Sequence, residues 1–238
     1  MNKGFSFKMK DPLTENLVCS NDLERYFMEN TDRVVHKWWH YFAIYERHFS
    51  KFRGNSPVIL EVGVSKGGSL QMWKDYFGTG CRIYGIDIDP SCKKYEEDGI
   101  EIFIGSQEDP IFLAEVRDRI GKVDIMIDDG GHEMSQQITT FRELYGSVST
   151  ERGGVYLCED THTSYHESYF NAGLGNPNSF MEMAKSMVDR LHVWHSEQLN
   201  SDDFSESTSS MHFYDSIVVF EKSPMSMPWH GKTGTITQ

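Results

Sequence analysis

Two stretches about thirty residues apart carry the acid–base chemistry of this chain: Val123 to His132, VDIMIDDGGH, and Gly153 to Asp160, GGVYLCED. Each reads as a short buried strand of Val, Ile, Met, Leu and Tyr that is bounded by glycine and ends in acids. The first releases Asp128 and Asp129, then two glycines and His132; the second releases Glu159 and Asp160. In a parallel α/β sheet the C-terminal ends of the strands share one edge, where ligands bind. Adjacent strands would therefore bring four carboxylates and an imidazole to one small space. Acids that close together cannot all stay ionised without a cation. The bland alternative is that they are solvated loop acids or helix N-caps.

An earlier strand–loop–helix suggests what else binds at that edge. In VILEVGVSKGG, 58–68, Ser65 stands where the dinucleotide fingerprint GxGxxG needs its second glycine, and the GK[ST] of a phosphate loop is missing. Glu61 would repel a pyrophosphate and attract a cationic amine. Asp87 closes the next strand about 20 residues beyond the glycines, the place for a ribose diol. A ribose, an amine and no phosphates describe S-adenosylmethionine (SAM) better than NAD. The plainer reading of Gly63, Gly67 and Gly68 is a tight turn with no ligand.

In chain order, HKWWHYFAIYERHF, ILEVGVSKGGSL, IYGIDIDP, IGSQED, DIMIDDGGH and GGVYLCEDTHTSY resemble the class I SAM-dependent methyltransferases over roughly residues 30–190. More narrowly they resemble the metal-dependent sugar O-methyltransferases related to the mycinamicin and tylosin deoxysugar enzymes. The resemblance implies Mg²⁺ held by Asp129, Glu159 and Asp160, with His132 catalytic. It also implies SAM contacts from Glu61, Gly63, Gly67, Asp87, Gln107 (near adenine) and Asp128. Ser65 departs from the wider family's middle glycine.

The chemistry is coherent on its own terms. Methyl transfer from a sulfonium is an in-line displacement, for which an enzyme supplies orientation and a deprotonated acceptor. A sugar hydroxyl needs help to lose its proton, and a hard cation with carboxylate and water ligands lowers its pKa. An all-carboxylate set suits Mg²⁺, Mn²⁺ or Ca²⁺, whereas zinc draws more on Cys and His. An imidazole titrates near neutral pH, which makes His132 the candidate base. His162 and His166 compete for that role from the segment 161–178, which reads as a loop over the site and also offers Tyr165 to a sugar.

The elements that must position these groups are a doubly wound, Rossmann-like α/β array. Expected strands are 58–63, 82–87, 100–105, 123–128 and 154–158, with helices between them over 69–77, after Pro90, up to Ile120 and over 133–146. A strand near 191–195 and another over 211–222 would form an antiparallel hairpin that completes a mostly parallel, seven-stranded sheet. Upstream, residues 1–21 read as irregular, and an aromatic helix opens at Thr31 or Asp32. That helix is packing for the core or a second subunit, unless Lys37, His40 or Tyr41 reaches the crevice. A helix over 179–190 and an exposed polar connection over 200–210 complete the picture. Residues 1–56 are thus expected as a helical extension and 57–238 as the methyltransferase domain, with no internal repeat.

Composition limits the alternatives. The 238 residues suffice for one large domain, and a net charge of −13 argues against a nucleic-acid partner. No apolar run approaches the roughly 20 residues that span a membrane. Residues 1–18 lack the apolar core of a signal peptide. The four cysteines, Cys19, Cys81, Cys92 and Cys158, form no CxxC spacing. These points predict a cytoplasmic protein with reduced thiols; the resemblance implies a small sugar or glycoside substrate, and the aromatic helix suggests a possible homo-oligomer. The competing functions are a catechol-type O-methyltransferase, a SAM-binding module without turnover and, least favoured, a nicotinamide dehydrogenase.

Overall fold

Ile59, Leu60, Val62, Ile125, Met126, Ile127, Val155, Tyr156 and Leu157 are all buried, which marks three strands covered on both faces. They lie at the centre of the computed structural model, which describes Glu15 and residues 17–234. The described chain begins with helices α1 (Asp22–Glu29) and α2 (Tyr41–Phe49). It then alternates β1 (Val58–Val62), α3 (Gly68–Phe77), β2 (Arg82–Asp87), β3 (Ile100–Ile104), α4 (Pro110–Ile120), β4 (Ile125–Asp128), α5 (Met134–Leu144) and β5 (Val155–Cys158). Helices α6 (Phe180–Ser186) and α7 (Val188–Leu191) and the hairpin β6 (Thr208–Phe213) and β7 (Val218–Lys222) follow. The seven-stranded sheet has the order β3-β2-β1-β4-β5-β7-β6, and β7 alone runs against its neighbours. This is the expected Rossmann-like architecture, with the strand order reversing between β1 and β4, where α/β sheets bind ligands.

The period of two along each strand divides the core. Ile59, Ile125, Ile127, Val155 and Leu157 face a layer built from α1, α2 and α3, where Leu23, Phe42, Tyr45, Phe49 and Trp73 pack together. Leu60, Val62, Met126 and Tyr156 face Leu113, Phe141 and Phe180 of α4, α5 and α6. Helices α1 and α2 therefore share the main core.

The sequence expectations fail in four places. Helix α1 was not expected; Asn21 caps it by accepting from the Glu24 N–H at 2.9 Å. Of the stretch 1–21 expected to be irregular, residues 1–14 and 16 lie outside the described residues. Helix α2 starts at Tyr41, about ten residues late, because 34–38 runs without regular structure across the start of α3. There Gly68 makes room: a Cβ on it would lie 2.2 Å from the Val34 carbonyl oxygen. The strand expected near 191–195 is helical, and the hairpin lies wholly within 208–222, turning where Tyr214 N–H donates to the Ile217 carbonyl at 2.8 Å. The polar stretch 200–210 is no exposed connection, since Phe204, Ser205 and Thr208 are buried and β6 begins inside it.

Candidate active site

Strands β4 and β5 pair in parallel with Asp128 opposite Cys158, so Asp129 and Glu159 leave the sheet side by side. The Asp129 N–H still donates to Val62 O at 2.9 Å, and the Glu159 N–H to Asp128 O at 2.9 Å. Beyond them the chain turns sharply on two non-glycine residues with left-handed backbone, His132 at φ +60° and Asp160 at φ +53°. These turns bring His132 Nε2 to 3.4 Å from Asp160 Oδ2 and 3.9 Å from Asp129 Oδ1. One ligand atom from each of Asp129, His132 and Asp160 falls within 4.8 Å of the others.

Glu159 has different company. Its two oxygens each accept from Lys37 Nζ at 2.8 Å, and Oε1 also accepts from the Tyr45 hydroxyl at 2.7 Å. The same ammonium donates to Asp129 Oδ2 at 2.5 Å. Asp129 thus joins the two groups, one oxygen towards His132 and the other towards Lys37. Burial alone would lower the Lys37 pKa, but Asp129 and Glu159 outweigh it and hold the ammonium well above the usual lysine range. Burial, and then the Asp129 charge, push the Glu159 carboxyl up, with Lys37 opposing them. Asp160 is held from the other side by the Tyr41 hydroxyl, which donates to Oδ1 at 2.6 Å and lies 2.8 Å from Ser216 Oγ. Helix α2 therefore reaches the acids with both tyrosines, one turn apart. Of the upstream candidates Lys37 and Tyr41 enter the site, while His40 Nε2 sits 3.1 Å from the Asp215 carbonyl oxygen.

Beside the acids, across the ends of β1 and β2, opens a cavity of about 370 Å³ lined by Gly63, Ser65, Asp87, Gln107, Asp129 and Gly130 among others. Gly63 has φ +97°, and a Cβ there would lie 1.9 Å from Asp129 O, so this glycine is what lets β1 and the acid loop meet. Asp87 shapes the rim, its Oδ2 accepting from Ser65 N–H at 2.8 Å and its Oδ1 from Asp89 N–H at 2.9 Å. Gln107 accepts from Gly131 N–H at 2.7 Å and donates to Asp128 Oδ1 at 3.1 Å. Gly67, with φ +72°, makes the turn into α3 against the Tyr95 ring and stands off the cavity wall.

Two further expected cofactor contacts stand off this cavity. Asp128 does not line the cavity: it shares the α5-side face with Met126, is fully buried, and accepts from Gln107 and from Tyr156 at 3.4 Å. Burial raises its carboxyl to about 7. Glu61 is also fully buried on the α3 side, with Oε2 accepting from the Trp73 indole at 3.2 Å and Oε1 without a hydrogen-bond partner among the described residues. Burial raises it to about 7 as well.

The loop after β5 starts as a 3-10 helix, Thr161–Tyr165, pinned by Thr163 Oγ1 donating to the His132 carbonyl at 2.9 Å. His162 Nδ1 lies 3.8 Å from Asp160 Oδ1 and is hydrogen-bonded to Ser216. Burial lowers its pKa. His166 packs edge-on one ring further out, 5.3 Å from His162, and Tyr165 is 44% exposed. The sequence reading missed Tyr45 and Ser216. Tyr45 was findable, four residues after Tyr41 on the same helical face; Ser216 sits in a turn that only the hairpin register reveals.

No family model matches the chain. Its overall structure is similar to that of the MycE methyltransferase from the mycinamycin biosynthetic pathway in complex with Mg, SAH and mycinamycin VI, at TM-score 0.74 and 29% identity over 86% of this chain and 54% of that one. The protein has the fold of a class I, Rossmann-like methyltransferase. Its curated homologues are deoxysugar O-methyltransferases. One is the 8-demethyl-8-(2-methoxy-alpha-L-rhamnosyl)-tetracenomycin-C 3'-O-methyltransferase of Streptomyces olivaceus, 36% identical over 78% of this chain and 50% of the relative. Others are the demethylmacrocin O-methyltransferase of Streptomyces fradiae (36%, 68% and 44%) and the mycinamicin VI 2''-O-methyltransferase of Micromonospora griseorubida (33%, 75% and 47%). The chain spans about half the length of the curated relatives it matches.

Proposed function

We propose that this protein is a Mg²⁺- and SAM-dependent O-methyltransferase acting on a sugar hydroxyl of a glycoside natural product or bacterial polysaccharide. The observation that carries this reading is the convergence of Asp129, His132 and Asp160 within 4.8 Å, beside a cavity closed by Gly63 and Asp87. Carboxylate oxygens suit a hard cation, and the buried His132 Nδ1, which has no hydrogen-bond partner among the described residues, supports a site built for more than its own contacts. Asp129, Glu159 and Asp160 would hold the ion, and Asp87, Gln107 and the Gly63 turn would hold the nucleoside. S-adenosylmethionine supplies the methyl group, and Mg²⁺ the positive charge that acidifies a bound hydroxyl.

The rest falls to the chain's own residues. His132 presents Nε2 to the acid cluster, where it takes the acceptor proton as the new O–CH₃ bond forms and the S–CH₃ bond breaks. Tyr41 and Tyr45 fix Asp160 and Glu159, so the carboxylates need little rearrangement during reaction. Thr163 ties the lid to the His132 backbone, and His162, Tyr165 and His166 offer polar and ring contacts to a sugar.

In the proposed division at residue 56/57, the described part of the N-terminal segment, from 17 to 56, delivers Lys37, Tyr41 and Tyr45 to the methyltransferase domain. Among the described residues no helix is long and apolar enough to cross a membrane. We place the enzyme in the cytoplasm, with no nucleic-acid or membrane partner, and light scattering checks whether it self-associates. The direct test is incubation with SAM, Mg²⁺ and a panel of glycosides, read by mass spectrometry. One methyl gained on a sugar hydroxyl, abolished by EDTA and restored by Mg²⁺, is expected. Methyl gain on a phenol, or gain indifferent to EDTA, would contradict the reading.

A further inference from the structure

We propose that Lys37 is the resident cation of the acid cluster: its ammonium holds Asp129 and Glu159 together until a divalent ion takes that place, so lysine and ion compete for the same carboxylates. The inference rests on the metal-dependent reading above and concerns how that site is regulated.

Three observations carry it. First, Lys37 Nζ makes three short contacts, at 2.5 Å to Asp129 and 2.8 Å to each Glu159 oxygen, and these are two of the three expected metal ligands. Its side chain is only 3% exposed, so solvent cannot screen the pair. Second, the acids that close the ligand atoms of the cluster are Asp129 and Asp160, while Glu159 is left out of it. Glu159 is drawn to Lys37 and Tyr45 instead. A dication bound by all three carboxylates would sit against a fixed ammonium, and two like charges at that separation repel strongly in a dry site. Third, the lysine has somewhere else to go. Glu61 is fully buried, feels the Lys37 charge, and keeps Oε1 without a hydrogen-bond partner among the described residues. Residues 34–38 carry Lys37 on backbone with no regular structure, so the side chain can shift without breaking a helix.

Without such a counter-ion, bare Asp129 and Glu159 would repel one another in a buried space. The lysine keeps the site folded before the metal arrives, and metal affinity is reduced by the same interaction.

The test is Lys37→Met, which keeps the length and removes the charge. Mg²⁺ binding is measured by calorimetry and melting temperature is followed in EDTA and in saturating Mg²⁺. The inference expects the variant to bind Mg²⁺ at least tenfold more tightly than the wild type. It also expects a lower melting temperature in EDTA and a gap that Mg²⁺ closes. If the wild type binds Mg²⁺ and the variant binds equally or more weakly, the competition is wrong and the metal-dependent reading stands. A variant that stays unfolded at every Mg²⁺ concentration also overturns it, because the ion then cannot replace the lysine. If neither protein binds Mg²⁺, the metal-dependent reading itself fails and the inference with it.

Discussion

His132 and Asp160 face each other at 3.4 Å from the ends of neighbouring strands, and both hold left-handed backbone, at φ +60° and +53°. Non-glycine residues in that region cost about 1–2 kcal/mol each and persist where surrounding structure overdetermines them. The turns are what direct an imidazole and a carboxylate back over the same point. Strain and function therefore coincide in the proposed base and one proposed ligand.

His132→Gly separates the two. It removes the imidazole and relieves the φ +60° turn. Turnover is expected to fall by about 10²–10⁴-fold, the usual worth of a general base. SAM affinity and melting temperature should hold or rise slightly. Steady-state kinetics with SAM titration checks this, and full activity would remove His132 from the proton path.

Gly63→Ala tests the meeting of β1 with the acid loop. Its Cβ would lie 1.9 Å from the Asp129 carbonyl oxygen, on a residue at φ +97°. Backbone strain and overpacking together predict a loss of about 2–6 kcal/mol. Denaturant titration reads it, and a loss under about 1 kcal/mol would show that the loop adapts.

Tyr41→Phe removes the hydroxyl that donates to Asp160 Oδ1 and contacts Ser216 Oγ. A charge-assisted hydrogen bond partly open to solvent is worth about 1–2 kcal/mol. The melting temperature should fall by roughly 2–8 °C for a domain of this size. Unchanged melting would mean that water replaces the hydroxyl at no cost.

Glu61 predicts a pH dependence. Burial raises its carboxyl from the ordinary 4.5 to about 7, so the folded state binds this proton more tightly than the unfolded one. Its contribution is present at low pH and is lost as pH rises from about 4.5 through about 7. Glu61→Gln removes that slope, on the order of 3 kcal/mol across the window. Melting curves of wild type and variant should converge at acid pH relative to neutral; parallel curves would show that Glu61 does not titrate there.

Much of this was legible in the chain because parallel strands buried on both faces read as short apolar runs, and the glycine and acid signals fall at their ends. Asp129, Glu159 and Asp160 could be placed at one edge for that reason. The facing of individual acids was harder to read. Asp128 and Asp129 are neighbours, and the alternation along β4 that sends Met126 towards α5 sends Asp128 the same way. Counting by two from Met126 would have put Asp128 in the core. The start of α2 was misjudged because the bulky side chains of VVHKWW, 34–39, pack partly from coil that crosses the start of α3, so their apolar content does not require a helix. The hairpin was misplaced because residues 191–195, LHVWH, look like a strand and fold as helical turns packed on the same core.

The most direct test of the central claim is binding of Mn²⁺, a spectroscopic substitute for Mg²⁺ at oxygen-rich sites, followed by electron paramagnetic resonance. The account predicts one bound Mn²⁺ per chain, displaced by Mg²⁺ and weakened at least tenfold by Asp129→Asn and by Asp160→Asn. The rim variant Asp89→Asn should bind it like the wild type. Bound Mn²⁺ undiminished in both ligand variants, or none bound to the wild type, would contradict it.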